Sequence, residues 1–262
     1  MSLISSGLRI ASEDGFFEFL RRFAKFIVKS MVPVRIWNQI YIINARLKLS
    51  QRFESNSSFS MVFAFKNRLD GLSDKYGTDK GGIYSPVEWE THSYTPIYDL
   101  IFGHLDPNIL VECGIGTDDP DKVSTMGPEY SPGASLRMWK DYFPDTEIIG
   151  LDIDEEILFE EDRISTHLVD QTNEASINNF ISKYGREFEI DIVIDDGLHT
   201  SEGALNLFSG LFPHLAQRGI YIIEDLKFEH VNEVLDVIEN KYIVESVHVI
   251  MNSQDSLIII RK

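Results

Sequence analysis

Short apolar runs alternate with helical stretches along the second half of the chain. Ile109–Cys113, Glu147–Leu151, Ile164–Leu168, Ile190–Ile194 and Gly219–Ile223 are rich in Ile, Leu and Val and read as strands. Between them, Ala134–Phe143, Ile177–Tyr184 and Gly203–Leu215 space their apolar residues three and four apart and read as helices. This alternation predicts βαβ units and a parallel sheet covered on both faces. Lys241–Ile250 and Leu257–Arg261 are again β-rich, and the turn-forming Asn252-Ser253-Gln254-Asp255 joins them. An antiparallel hairpin closing the sheet follows.

The first part of the chain has another pattern. Ser12, Glu13 and Asp14 form a helix start, since the hydroxyl caps free N–H groups and the acids suit the dipole. Phe16, Phe19, Leu20, Phe23, Phe26 and Ile27 then recur at helical spacing, with Arg21, Arg22, Lys25 and Lys29 opposite, until Pro33 ends or kinks the helix. Charges interrupt every apolar run well short of the ~18–20 residues that span a bilayer. Two readings stand: an amphipathic helix packing on the body or on a second copy, or a basic, Phe-rich helix lying on an anionic membrane surface. Residues 51–60 are polar and Ser-rich, a linker. The expected division is a helical extension over 1–70 and one α/β domain over 71–262.

Charge sharpens that division. Residues 1–50 hold eight Lys or Arg against three Asp or Glu, whereas the whole chain of 262 residues has 42 acidic and 24 basic residues and a net charge of −18. Nucleic-acid binders neutralise phosphates with a basic surface, so this balance excludes that partner class. The single cysteine, Cys113, has no internal partner for a disulfide, which fits a reducing, cytoplasmic compartment.

In an open parallel sheet, ligands sit at the carboxyl ends of the strands. The first predicted strand runs into Glu112-Cys113-Gly114-Ile115-Gly116, where glycines let backbone approach a ligand closely. The third glycine of a dinucleotide fingerprint is missing, and Asp118 and Asp119 would repel a pyrophosphate while suiting a cation. Asp152 and Asp154 follow the second strand; an acid there accepts both ribose hydroxyls of an adenosine, although Asp152 alone also reads as a helix cap. Asp170 and Gln171 follow the third, placed to meet an adenine amine. Together these fit an adenosine ligand without phosphates, S-adenosylmethionine.

Asp195-Asp196-Gly197-Leu198-His199 follow the fourth strand and Glu224-Asp225 the fifth. Neighbouring strands lie about 5 Å apart, which brings Asp196, Glu224 and Asp225 into one crevice. Three carboxylates together favour a hard divalent cation such as Mg²⁺ or Ca²⁺; the plain alternative is a set of solvated loop acids. His199 lies three residues beyond Asp196, and its imidazole has the intrinsic pKa of a general base, though a lone loop histidine is otherwise structural.

These residues carry a resemblance. Val111–Gly116, Pro132-Gly133-Ala134-Ser135-Leu136-Arg137-Met138-Trp139, Asp141-Tyr142-Phe143-Pro144, Gly150-Leu151-Asp152-Ile153-Asp154, Asp170-Gln171, Ile194–His199 and Tyr221–Asp225 occur in the order of a known family. So does Lys75-Tyr76-Gly77-Thr78-Asp79-Lys80, followed by His92, Tyr94 and Tyr98. Over about residues 72–230 the chain resembles the class I S-adenosylmethionine-dependent O-methyltransferases that modify sugars, those of macrolide glycosides and of bacterial surface polysaccharides. Residues 1–70 lie outside it.

The resemblance implies a Rossmann-like class I methyltransferase fold with a mostly parallel seven-stranded sheet, helices on both faces and a C-terminal antiparallel hairpin. It implies an enzyme that uses S-adenosylmethionine and Mg²⁺ to methylate a sugar hydroxyl of a glycan, nucleotide-sugar or glycoside. Asp196, Glu224 and Asp225 would hold the metal, and His199 would be the base. Glu112 and Gly114 would meet the cofactor's amino-acid end, Asp152 its ribose and Asp170 its adenine. Gly116, Ser135, Arg137, Gln171, Thr78 and Asp195 complete the implied cofactor set, with Lys80 on the cofactor or acceptor side. Apart from the resemblance, a homo-oligomer is the expected assembly, and peripheral contact with the inner membrane face is the second reading of the N-terminal helix. A catechol-like phenol or other small diol is an alternative acceptor, and an NAD- or nucleotide-sugar-binding oxidoreductase the remaining alternative.

Overall fold

The computed structural model describes residues 67–81, 92–122, 124–185, 187–251 and 255–262. All of them lie in the second of the two units into which the chain divides, Phe59–Lys262. The amphipathic-helix reading near residue 16, the Ser-rich linker and turn residues 252–254 fall outside the described residues.

The described body starts with a capped helix. Asn67 accepts the Asp70 N–H and Asp70 in turn accepts the Asn67 N–H, each at 3.0 Å, a reciprocal box that starts α1 (Arg68–Tyr76). The body therefore begins before residue 71. Gly77, left-handed at φ 75°, ends the helix. The Thr95 hydroxyl donates to the buried Asp70 carboxylate, which ties α2 (Thr95–Phe102) to α1.

An eight-stranded sheet follows. In chain order its strands are β1 (Ile109–Cys113), β2 (Glu147–Asp152), β3 (Glu160–Glu161), β4 (Ile164–Leu168), β5 (Ile190–Asp195), β6 (Leu215–Lys227), β7 (Ser246–Met251) and β8 (Asp255–Arg261). Their spatial order is β3-β4-β2-β1-β5-β6-β8-β7. β4, β2, β1, β5 and β6 are parallel, and β8 and β7 continue antiparallel from β6. The intervening helices are α3 (Ala134–Tyr142), α4 (Glu174–Ser182), α5 (Ser201–Leu211) and α6 (Phe228–Lys241). No described helix is long and apolar enough to cross a membrane.

The parallel βα alternation and the closing hairpin are as expected. The count of seven strands is corrected to eight, because β3 pairs only two residues with the edge of β4, too few to leave a period in the sequence. The helix expected to reach Leu215 stops at Leu211; Pro213 sits in a tight turn over Phe212–His214, and β6 begins directly at Leu215.

One side of the core positions the site. Leu110, Ile148, Ile192, Ile194, Ile220 and Ile222 face α1–α3 and pack around Tyr98, Phe102 and Trp139, all fully buried. Gly150 in β2 admits α3 to the sheet, since a Cβ there would lie 2.6 Å from the Leu136 side chain. β1 stands between β2 and β5, where the chain order along the sheet reverses, and ligands of such folds bind at that point.

Candidate functional site

Strand register lines up the acids. Cys113 pairs with Leu151 on one side and with Asp195 on the other, and Asp195 pairs with Ile223. The first residues beyond β1 and β5, and the end of β6, therefore meet along one rim. Side chains alternate along strands. Leu110 and Glu112, Ile192 and Ile194, and Ile220 and Ile222 share one face, and two more residues of the same alternation bring Asp196 and Glu224 to it. Gly114, left-handed at φ 87°, closes the rim: a Cβ there would lie 2.1 Å from the Asp196 carbonyl oxygen. Above the rim lies a cleft of about 1160 Å³.

Lys80 stands where the acids converge. It is 1% exposed. Its ammonium lies 2.6 Å from Asp196 Oδ2, 2.7 Å from Glu224 Oε2 and 3.1 Å from Glu112 Oε1. Burial alone would lower the Lys80 pKa, but the charges of Asp196, Glu224 and Glu112 outweigh it and hold the lysine well above its usual value. Burial pushes the Glu224 carboxyl well up, with Lys80 opposing and Asp196 and Asp225 adding repulsion, and pushes Asp196 up in the same way. The Tyr98 hydroxyl donates to Glu224 Oε1. The Trp139 indole N–H donates to Glu112 Oε2 at 3.0 Å.

Asp225 points elsewhere. The pairing of β6 with β8 slips between Ile223 and Leu226, and Asp225 takes a left-handed backbone at φ 52°. A bulge of this kind re-aims a side chain. The Asp225 carboxylate accepts the Tyr94 hydroxyl and lies 3.0 Å from His92 Nδ1. Burial tends to raise its pKa, but His92 and Tyr94 bring it below the usual carboxylate range. Burial tends to lower His92, and the Asp225 carboxylate, with Asp79, raises it to about 9. The segment before the sheet thus supplies the counter-charges, Lys80 and His92, to acids carried by the strand ends.

The cofactor-side residues divide. Gly114, Gly116, Thr78, Ser135, Asp152, Asp170 and Gln171 line the cleft. Asp152 accepts the Ile115 and Asp154 N–H groups, each at 2.9 Å, and so shapes the first loop as well as facing the cleft. Gln171 is 6% exposed; it donates to Asp195 Oδ1 at 2.6 Å and accepts the Leu198 N–H at 2.8 Å. Three residues expected at the cofactor have other partners in the structure. Arg137 is turned away: its guanidinium pairs with Glu161 at 2.7 Å, donates to the Pro132 carbonyl and stacks on Phe159. Asp195 lies on the opposite face of the sheet, buried under the rim, and burial raises its pKa to about 6. Glu112 is fully buried between Trp139 and Lys80. None of the three lines the cleft.

The donor set fits a divalent cation. Ligand atoms of Asp196, His199 and Asp225 lie within 4.8 Å of one another at the cleft, and those of Glu112, Asp196 and Glu224 do so behind it. Asp196 belongs to both sets. His199, left-handed at φ 55°, has a buried Nδ1 without a hydrogen-bond partner. Glu224, expected as the third metal ligand, sits in the inner set with its two oxygens bound by Tyr98 and Lys80; a carboxylate oxygen retains a second lone pair for a cation. Lys80 and His92 are the residues that the run of acids in the sequence did not reveal as the organisers of this region.

No protein-family profile matches the chain. Its relatives include 8-demethyl-8-alpha-L-rhamnosyl tetracenomycin-C 2'-O-methyltransferase of Streptomyces olivaceus, 38% identical over 162 residues, 61% of this chain and 38% of that protein. Demethylmacrocin O-methyltransferase of Streptomyces fradiae is 37% identical over 163 residues, 62% of this chain and 37% of that protein. Mycinamicin VI 2''-O-methyltransferase of Micromonospora griseorubida is 37% identical over 163 residues, 62% of this chain and 36% of that protein. The chain thus spans less than two fifths of the length of these curated relatives. Among solved structures, MycE methyltransferase from the mycinamycin biosynthetic pathway, in complex with Mg and SAH, matches with a TM-score of 0.57 and 27% identity, over 76% of this chain and 55% of that one. The chain is similar to sugar O-methyltransferases. Its sheet order and closing hairpin are those of the class I methyltransferase fold.

Proposed function

We propose that this protein is an S-adenosylmethionine-dependent O-methyltransferase that acts, with Mg²⁺ or another hard divalent cation, on a sugar hydroxyl of a small glycoside or glycan, in natural-product or surface-polysaccharide tailoring. The observation that carries the reading is one cleft lined both by Gly114, Asp152 and Asp170 and by the converging Asp196, His199 and Asp225. The similarity to sugar O-methyltransferases, one solved with Mg and SAH, supports the same assignment.

In this reading Asp152 accepts ribose hydroxyls with the lone pairs that the loop N–H groups leave free. Asp170 meets the adenine, and the exposed side chains of Ile153 and Leu198, both in the cleft, cover the flat apolar ring. Asp196 and Asp225 hold the cation, with Glu224 behind them. The cofactor supplies an electrophilic methyl group, and the cation lowers the pKa of the acceptor hydroxyl and orients it. His199 takes the hydroxyl proton on an imidazole nitrogen. Cleft walls that held acceptor and cofactor in line would supply the positioning that makes such a displacement fast. The buried, lone Cys113 supports a cytoplasmic location.

The test is a thermal-shift titration of the full chain with S-adenosylhomocysteine, with NAD⁺ as the control. At ~100 times the dissociation constant a ligand adds about 2.7 kcal/mol, several degrees for a chain of this size. A rise with S-adenosylhomocysteine alone is the expected result; a rise with NAD⁺ alone overturns the assignment.

A further inference from the structure

The Lys80 ammonium stands among three carboxylates. Asp196, Glu224 and Glu112 come from the ends of β5, β6 and β1, and their oxygens lie 2.6, 2.7 and 3.1 Å from Nζ. At 1% exposure, with hydrogen bonds to Asp196 and Glu224 and an ion pair to Glu112, this ammonium is committed to the acid cluster. A lysine that served only to bridge two elements would need one acid. Here one positive charge stands among three carboxylates, so two of the acids have no counter-charge of their own, as many as one divalent cation can neutralise. The acids most strongly held by Lys80, Asp196 and Glu224, are two of the three assigned above to that cation.

The backbone fixes Lys80 as firmly as the acids fix its head. The Lys80 carbonyl accepts the Tyr94 N–H at 2.8 Å and the Thr95 N–H at 3.2 Å, and the Asp79 carbonyl accepts the His92 N–H at 3.1 Å. The Ser73 hydroxyl holds the Thr78 carbonyl at 2.8 Å. The side chain therefore enters the acid cluster from a loop held in place by backbone hydrogen bonds.

We infer that Lys80 is a positioning residue: a built-in counter-cation that keeps Asp196 and Glu224 aimed and folded when no metal is bound, and whose fixed charge holds the site's affinity for a divalent cation low enough for exchange. The inference rests on the cation reading above and adds to it a residue that works against tight binding. A cation held by Asp196 shares that carboxylate with a positive charge 2.6 Å from Oδ2. Repulsion between close charges in a protein interior is far larger than in water.

The test is calorimetric titration of the EDTA-dialysed full chain with MgCl₂, comparing wild type with Lys80→Met. A second variant, Lys80→Met with Glu112→Gln, removes one charge of each sign and keeps the cluster balanced if the single change hinders folding. Lys80→Met is expected to bind Mg²⁺ at least ~10-fold more tightly than wild type, because like charge near the ion is gone, and the double variant to bind it more tightly than Glu112→Gln alone. The melting temperatures of both Lys80 variants in EDTA should fall below wild type and recover with MgCl₂ by more than wild type gains. A merely structural lysine would loosen the site on removal, so Mg²⁺ binding by Lys80→Met no tighter than wild type, or by the double variant no tighter than Glu112→Gln alone, with normal binding in wild type, overturns the Lys80 assignment alone. Failure of both variants to fold even in MgCl₂ also overturns it. Absence of Mg²⁺ binding in wild type and variants alike removes the cation reading itself.

Discussion

His199, Ser93 and Asp225 are three non-glycine residues in the left-handed region, at φ 55°, 57° and 52°, and all three line the cleft. Such conformations cost on the order of 1–3 kcal/mol each and persist where surrounding contacts impose them. For His199 the result is an imidazole held beside Asp196 and Asp225 with a buried, unpartnered Nδ1. Replacing His199 with Ala should reduce methyl transfer by roughly 10²–10⁴-fold if the ring is the base, while the S-adenosylhomocysteine thermal shift stays as in wild type. Near-normal turnover in that variant would end the assignment. At this scale the sequence disclosed much: Asp196, His199, Asp152 and Asp170 stand just beyond strand ends, where chemistry is looked for first. Lys80 stayed obscure because its partners Asp196 and Glu224 are 116 and 144 residues away, and no local pattern links them. Parity was an unused signal. Counting in twos from Leu110, Ile194 and Ile222 places Glu112, Asp196 and Glu224 on one face; Asp225 falls outside that count, and the bulge in β6 re-aims it.

At the next scale, β4 and the end of α4 are joined by aromatic packing. His167 Nε2 lies 2.8 Å from the Tyr184 hydroxyl, and Phe180 and Phe188 pack against the same pair. Burial lowers the His167 pKa, with the Lys183 charge adding to the shift. The sign follows. The unfolded chain takes up this proton near pH 6.5 and the folded protein only at lower pH, so the contribution of His167 is intact above pH ~6.5 and declines as pH falls below it. A His167→Gln variant should lose less melting temperature between pH 7 and pH 5 than wild type; an equal loss would assign the acid sensitivity elsewhere. The predicted strands of the parallel sheet all appear, since buried parallel strands read as continuous apolar runs. Helices α1, α2 and α6 were harder to see. α6 starts at Phe228 with no turn residue after β6, and α1 is mostly polar, owing its place to the Asn67–Asp70 box and the Thr95 contact.

Across the whole molecule, a net charge of −18 works against compactness, and self-repulsion of this kind is screened by salt over a Debye length of ~10 Å at 0.1 M. The melting temperature of the full chain should therefore rise between 20 and 200 mM NaCl; a fall would mean that the surface ion pairs, such as Lys75–Asp141 at 2.6 Å, outweigh the repulsion. The overall βα order was readable because each strand and helix is locally specified, whereas the neutralisation of the acids depends on which distant segments meet. That dependence bears on how the protein comes apart. The Lys80 cluster joins a loop ahead of the sheet to strand ends far along the chain, so loop-closure entropy opposes its early formation. Contacts completed after the folding barrier govern the rate of unfolding and leave the rate of folding nearly untouched. The expected consequence is a kinetic latch: weakening the ion cluster, as in Lys80→Met, should speed unfolding in stopped-flow measurements and leave the rate of folding nearly unchanged.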